Sequence, residues 1–468
     1  MEVDYQLLVI GGGPGGYSAA IRGAQCGLRT ALVEQQDIGG TCLNRGCIPT
    51  KALLHGAQGL RESQDLAACG LKLSGAEVDF AALSQYKDDT VAYLRGNVEG
   101  LLKANGVTIL RGQGRLLGSG KVAVAAKDGE QVYTCEHIII ATGSRPAMLP
   151  FVDAGQPGVV TSDGLLALDK LPERLVIIGG GVIGVEFATA FSAFGSKVTI
   201  LEGAGQILPQ MEADIAKAVA GRLAQQGVAI HVNAGVDGVK KVIGSVRVGC
   251  RINGEQQVFE GDRVLISIGR VANTEGLGLE EAGIALERRG IVVDENLRTN
   301  LPGVYAIGDV VAGNIQLAHV AAAQGLAAVQ VILSGSHDQQ LDVVPACLYT
   351  KPEVATVGLT RAEAVSQGFD AQWGSFQMYG NGKSIVEGDT DGFIRIVFDA
   401  ASRRVLGAQL VCQRATDIIA ELALAVANGL TVEQIARVIH PHPTFVEAVL
   451  EAAEDSHGLA IHALPRTK

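Results

Sequence analysis

Two stretches of this 468-residue chain are copies of one pattern, and that repetition narrows the possible folds more than any other feature. Residues 7–34 read LLVIGGGPGGYSAAIRGAQCGLRTALVE and residues 175–202 read LVIIGGGVIGVEFATAFSAFGSKVTILE, aligning without a gap. Each opens with an unbroken apolar run, as expected of a parallel strand buried on both faces. It then turns through glycines into a small-residue helix and closes on a second apolar strand. Each copy is therefore a βαβ unit, and two copies predict two nucleotide sites.

Gly11, Gly13 and Gly16 form GxGxxG in the first copy, and Gly179, Gly181 and Gly184 form it in the second. The first glycine permits a tight turn, the second lets backbone amides approach a pyrophosphate, and the third lets helix and strand pack closely. The helix N-terminus then attracts the phosphates. A lone GxGxxG is weak evidence, because glycine turns recur by chance. Here each motif follows a strand, opens a helix, and is followed eighteen residues later by an acid, Glu34 or Glu202, at the end of the next strand. Such an acid accepts hydrogen bonds from ribose hydroxyls and repels a 2′-phosphate, so Glu202 predicts NAD rather than NADP. No arginine stands in Gly203-Ala204-Gly205 to hold that phosphate.

Two further motifs concern the first site. Ala141-Thr142-Gly143 ends an apolar strand at 137–140, and VYAIGD at 304–309 is a short strand closing on Gly308-Asp309. Either alone is an ordinary strand and turn. Their order, GxGxxG, ATG, GxGxxG, AIGD, resembles that of the two-dinucleotide-binding flavoproteins. The resemblance implies FAD in the first site, held through Gly11, Gly13, Gly16, Glu34, Gly143, Asp309 and the helix from Ala318, and NAD in the second, with Gly269 beside it.

The expected fold is α/β, with two Rossmann-like dinucleotide-binding domains and a C-terminal α+β domain. Residues 1–147 make the FAD-binding domain, 148–270 the NAD-binding domain, 271–341 a central domain completing the FAD site, and 342–468 the C-terminal interface domain. In the last of these, alternating strands at 393–398 and 405–411 precede helices expected from Thr416, Thr431 and Thr444. A content of 47% hydrophobic and 19% charged residues supplies enough apolar material for several such cores.

The formal net charge of −11 disfavours nucleic acid and anionic membranes as partners, since both call for a basic surface. No stretch approaches the ~20 apolar residues of a membrane span. The acidic start Met1-Glu2-Val3-Asp4 lacks the basic and long apolar parts of a secretory signal, so a cytoplasmic protein is expected.

Eight cysteines are too sparse for a disulfide scaffold, and only Cys42 and Cys47 are close. They lie in GGTCLNRGCIPTK at 39–51, on what reads as one short turn just after the first acidic strand end. Metal ligation calls for a second Cys or His pair at matching spacing, and none accompanies them, so no metal is predicted. A redox disulfide is the better reading. Pro49 marks a first helical turn and Lys51 follows, both of which favour a thiolate. Near the other end stands HPHPTFVE at 440–447. A histidine can take a dithiol proton, and Glu447 could fix its tautomer. Thr444 and Glu447 also fit a helix-capping box, as do Thr360 and Glu363, and His440 is a second candidate base or a plain turn residue.

The set GGTCLNRGCIPTK, ATG, GGGVIG, AIGD, YTKPEVATVGLT and HPHPTFVE resembles the pyridine nucleotide-disulfide oxidoreductases of class I, and within them the branch that oxidises dihydrolipoamide. The resemblance covers nearly the whole chain. It implies that Cys42 exchanges with the dithiol, Cys47 lies against the flavin as a thiolate, and His442 with Glu447 is the base. Lys51 and Glu186 flank the flavin and nicotinamide. It also implies a homodimer in which His442 serves the other subunit, and a partner lipoyl domain of a 2-oxo acid dehydrogenase or glycine cleavage complex. The cysteine-free tail at 458–462 sets aside mercuric and large thioredoxin reductases. Arg45, Thr50 and Val320 depart from the usual pattern without removing a catalytic group. Two alternatives stay open: an NAD(P)H-dependent reductase of another small disulfide, and a non-catalytic FAD/NADH-binding redox sensor.

Overall fold

The computed structural model describes residues 3–72, 75–153 and 155–464, so Met1 and Glu2 of the acidic start lie outside it. Both repeats fold as βαβ units, and each seeds a parallel sheet. In the first sheet the parallel strands run Thr108–Arg111, Thr30–Glu34, Tyr5–Ile10, Gly129–Ile140 and Val304–Ala306, in that spatial order. The second runs Ala229–His231, Lys197–Leu201, Arg174–Ile178, Arg263–Ile266 and Val159–Val160, also all parallel. In both, the glycine turn therefore leaves the central strand, which places it where ligands bind open α/β sheets.

The apolar runs are buried on both faces. Leu7, Leu8 and Val9 are fully buried, as are Ala31 and Leu32. Even and odd residues feed two different cores, one on each side of the sheet. Small residues let the helices close in: the helix Pro14–Gln25 packs against Ala318–Ser334, and a Cβ on Gly325 would stand 2.5 Å from the Gly15 carbonyl oxygen. The chain passes to the second sheet after Ser144–Pro146 and returns through Arg270–Ala272, and these two short strands pair antiparallel. A three-stranded antiparallel sheet at 234–261 is a side branch of the second unit.

The C-terminal portion is a five-stranded antiparallel sheet in the order Ala346–Leu348, Glu353–Gly358, Val405–Cys412, Phe393–Asp399, Ala371–Gln377. Its central strands do not alternate between core and solvent as the sequence suggested. Every residue of Phe393–Asp399 is buried. One face packs under the helices Ala415–Ala427 and Glu447–Asp455. Leu348, Val354, Phe393 and Val411 join a cluster with Leu53, Leu54, Phe187 and Phe191 of the nucleotide-binding units. Arg395 on that strand is buried with its charge partnered: it pairs with Asp214 and with Glu212 at 3.4 Å, and its guanidinium stacks 4.4 Å from the Trp373 ring. Helices near Thr416 and Thr431 begin where expected, with Thr431 and Thr360 both forming capping boxes. The helix expected from Thr444 instead begins at Glu447, because the Thr444 hydroxyl donates to the Pro441 carbonyl rather than capping. Among the described residues no helix is long and apolar enough to cross a membrane.

Candidate active site

A groove of about 1040 Å³ runs along the first glycine turn. Of the predicted residues, Gly11, Gly13, Glu34, Cys42, Cys47, Lys51, Gly143, Glu186, Asp309 and Ala318 line it. Gly16 lies behind, against Gly11. Gly179, Gly181, Gly184 and Glu202 form the second turn, whose helix opens onto the same groove through Val182, Ile183 and Glu186. Gly269 does not line the groove; its carbonyl accepts from the Ala147 N–H at 2.9 Å in the crossover between the two units.

The two glycine turns are built alike. Glu34 accepts from the N–H groups of Gly12 and Gln36, both at 2.7 Å, and Glu202 accepts from Gly180 at 2.6 Å and Ala204 at 2.7 Å. Each acid thus braces its turn while keeping lone pairs for a ribose. A Cβ on Gly16 would sit 1.8 Å from the Gly11 oxygen, and one on Gly184 would sit 2.1 Å from that of Gly179, so only glycine permits this helix–strand approach. Gly181 has nothing within 4 Å of such a Cβ, and Gly13 only the Gly40 Cα at 3.9 Å. These middle positions are open space beside free helix N-terminal amides, which is the cradle a pyrophosphate requires. On the far wall, the Ser144 hydroxyl donates to Asp309 at 2.5 Å, and Arg270 donates to Ser144 Oγ and O, both at 2.7 Å. Burial pulls the Arg270 guanidinium pKa down, against the opposing pull of Asp309. The 17-residue helix Ala318–Ser334 points its N-terminus at the groove. The sequence reading missed Arg270 and Ser144 as groove residues. Arg270 directly follows Gly269, but nothing in its own neighbourhood shows that the chain returns past Asp309.

Cys42 and Cys47 form a disulfide with Cα atoms 4.7 Å apart. They do not share a simple turn: Cys42 lies in the short helix Gly40–Arg45, Gly46 breaks it, and Cys47 is the first residue of Cys47–Asp65. Gly40 abuts the first glycine turn, its would-be Cβ only 2.7 Å from the Gly13 Cα, so the disulfide is pinned beside that site. At the N-terminus of a 19-residue helix, a Cys47 thiolate is favoured by the free amides and the helix dipole. Lys51, one turn along, pairs with Glu186 of the second unit through contacts of 3.0 and 2.9 Å. Cys347 borders the same groove, yet burial pushes its thiol up to about 11, so it stays protonated. Arg45 and the largely buried Thr50 also line the groove, Arg45 turning to Gln36, while Val320 is a buried packing residue.

His442 and Glu447 form the predicted pair, with Glu447 Oε1 2.7 Å from His442 Nδ1. The other carboxylate oxygen accepts the Thr444 N–H at 2.8 Å, which steadies the turn before the helix without making the capping box its spacing also allowed. Burial alone would raise the Glu447 carboxyl pKa; the Thr444 N–H and His442 outweigh it and hold it below the usual carboxylate range. A carboxylate on Nδ1 favours the tautomer that leaves Nε2 free to accept a proton. The His442 side chain is 78% exposed and does not line the groove. His440 differs: its side chain is 3% exposed and locked to Glu421 at 3.1 Å, which raises its pKa and makes it a structural turn residue.

Two nucleotide cradles converging on a dithiol couple define an oxidoreductase that links a disulfide to a pyridine nucleotide through a flavin. Residues 5–325 match the family described as pyridine nucleotide-disulphide oxidoreductase, and residues 344–453 match its dimerisation domain. The chain belongs to this family, whose cofactors are FAD and NAD. It is 41% identical to a dihydrolipoyl dehydrogenase of Geobacillus stearothermophilus, over 99% of this chain and 98% of that one. It is 39% identical to the Chlamydia muridarum dihydrolipoyl dehydrogenase over the full length of both. Among solved structures, the Cu(II) complex of the HOCl-induced flavoprotein disulfide reductase RclA of Escherichia coli is similar, with TM-score 0.87 and 33% identity over 97% of this chain and 99% of that one. LpdA of Mycobacterium tuberculosis has TM-score 0.88 at 28% identity, over 96% of this chain and 99% of that one.

Proposed function

We propose that this protein oxidises protein-bound dihydrolipoamide to lipoamide and delivers the electrons to NAD. The observation that carries this reading is the disulfide Cys42–Cys47 set between the first glycine turn and the Lys51–Glu186 pair, in a chain 41% identical to a dihydrolipoyl dehydrogenase. A dihydrolipoyl thiol gives its proton to His442 Nε2 and attacks Cys42, forming a mixed disulfide and releasing Cys47 as a thiolate. The second lipoyl thiol then attacks the lipoyl sulfur of that mixed disulfide and its proton passes to the departing Cys42 sulfur, so lipoamide leaves oxidised and Cys42 thiol, Cys47 thiolate and protonated His442 remain. FAD, when bound, carries the electron pair from that dithiol to NAD. The groove residues Gly11, Gly13, Glu34, Lys51, Gly143, Asp309 and Ala318, with Gly16 behind them, would hold FAD; Gly179, Gly181, Gly184, Glu186, Glu202 and Gly269 would serve NAD.

His442 is exposed and lies off the groove, and other residues of the same C-terminal portion expose apolar side chains, Ile439 at 95% and Leu424 at 63%. We infer a homodimer in which each subunit presents His442 to the disulfide of the other, with domains divided at residues 147, 270 and 341. The further partner is the lipoyl domain of a 2-oxo acid dehydrogenase or glycine cleavage complex, and the compartment is the cytoplasm. Anaerobic stopped-flow absorbance tests the reading. Dihydrolipoamide should rapidly raise a long-wavelength thiolate–flavin band, and NAD but not NADP should discharge it. Reduction by NADH with no response to dihydrolipoamide would redirect the substrate to another small disulfide.

A further inference from the structure

The segment Tyr349-Thr350-Lys351-Pro352-Glu353 has no part in the chemistry described so far, although its first residue touches both members of the pair beside the disulfide. Tyr349 follows the C-terminal strand Ala346–Leu348. Its backbone N–H donates to Glu186 Oε1 at 3.1 Å, and its ring centroid lies 4.4 Å from Lys51 Nζ. Three separate parts of the chain thus meet at one ion pair. We propose that Tyr349 is a positioning residue: its ring holds the Lys51 ammonium against Glu186 and so fixes the positive charge next to Cys47, an inference that rests on the dithiol chemistry proposed above.

Glu186 is 3% exposed, and a carboxylate so buried needs its donors, two contacts from Lys51 and one from Tyr349. Lys51 is less confined. Its side chain is 32% exposed, and a flexible ammonium with several rotamers can leave for water or turn to a new anion. The Tyr349 ring restricts that freedom by offering the ammonium an aromatic face within cation–π range. Burial pushes the phenol up to about 12, so the ring stays neutral and adds no competing anion. Lys51 stands four residues after Cys47 on one helix, hence on the same face. When the disulfide opens, a cation held there favours the Cys47 thiolate by a constant amount, whereas a wandering one favours it less.

The test measures the pH dependence of iodoacetamide alkylation at Cys47 in the two-electron-reduced holoenzyme, read by peptide mass spectrometry. Tyr349→Leu keeps the backbone N–H to Glu186 and removes only the ring; it should raise the apparent thiol pKa by roughly half a unit. Tyr349→Phe keeps the aromatic face and should match wild type. Lys51→Gln should raise the pKa at least as far as Tyr349→Leu, and adding Tyr349→Leu to it should change nothing more. A Tyr349→Leu profile that overlays wild type would overturn the proposal. So would a Tyr349→Phe shift as large as that of Tyr349→Leu, or full additivity with Lys51→Gln. Failure of the functional reading looks different: reduced wild type would then lack the long-wavelength thiolate–flavin band, while the alkylation profile stays measurable.

Discussion

Replacing Gly181 and Gly184 separately by alanine should break the second nucleotide site in two different ways. A Cβ at position 184 falls 2.1 Å from the Gly179 oxygen and 2.9 Å from Ser267 Oγ. The first contact is to backbone, so the helix Val182–Ala193 must move away from its strand. Forced overpacking of this kind costs about 1–3 kcal/mol. For this variant we expect a thermal midpoint lower by several degrees, together with weak NAD binding. A Cβ at position 181 meets nothing within 4 Å, and the residue there has φ −74°, which alanine accepts. Stability should stay within about 0.5 kcal/mol of wild type. The added methyl occupies the space a pyrophosphate needs, so NADH affinity should fall about tenfold or more, a change of about 1.4 kcal/mol. Thermal melts and NADH titration of the purified holoenzyme give both quantities. If Gly181→Ala melts as early as Gly184→Ala, or binds NADH like wild type, the division of labour between these glycines is wrong.

Other outcomes follow from the same geometry. Cys47→Ser should leave a folded yellow protein that no longer oxidises dihydrolipoamide in a steady-state NADH assay. Glu447→Gln exchanges a charge-assisted bond to His442 for a neutral one; a loss of about 1 kcal/mol corresponds to a roughly fivefold slower dihydrolipoamide reaction. NADH oxidation by an artificial electron acceptor, which bypasses the dithiol, should stay unchanged in that variant. Glu433 accepts from Arg403 at 2.7 Å; burial opposes its charge, but the Arg403 guanidinium, a backbone N–H and the Thr431 hydroxyl outweigh it and bring its pKa down to about 2. Because the folded value lies below the unfolded one, its stabilisation is complete above about pH 4.5 and fades as pH falls toward 2. Glu433→Gln should therefore unfold at lower urea than wild type at pH 7, with the gap closing in acid.

Local pattern carried the nucleotide-binding units. An apolar strand, a glycine turn, a helix and an acid are all set within thirty residues, so periodicity and spacing reveal Gly11, Gly16, Glu34 and their second-copy partners. The disulfide was readable for the same reason, although the helix break at Gly46 was not, since GGTCLNRGC reads equally well as a loop. What spacing could not reveal is contact across units. Arg395 meets Glu212 and Asp214 across 183 and 181 positions, and nothing near it in sequence points to them. Tyr349 meets Glu186 across 163 positions, and the motif containing it carried a resemblance but no role. His442 and Glu447 were readable as a pair because they are five residues apart, whereas nothing in that spacing says that His442 stands off the groove.

The apolar cluster that joins Leu53 and Leu54 to Phe187, Phe191, Phe393 and Val411 makes the C-terminal portion an unlikely unit of recombination. A chimera grafting a relative's residues 342–468 onto this chain would inherit compatible strand pairing but a foreign set of side-chain shapes beneath the disulfide-bearing helix. Cavities or clashes there cost several kcal/mol when buried Leu or Phe contacts are lost. Exchange between lineages should accordingly succeed only when Leu53, Leu54, Phe187 and Phe191 travel together with the sheet they support.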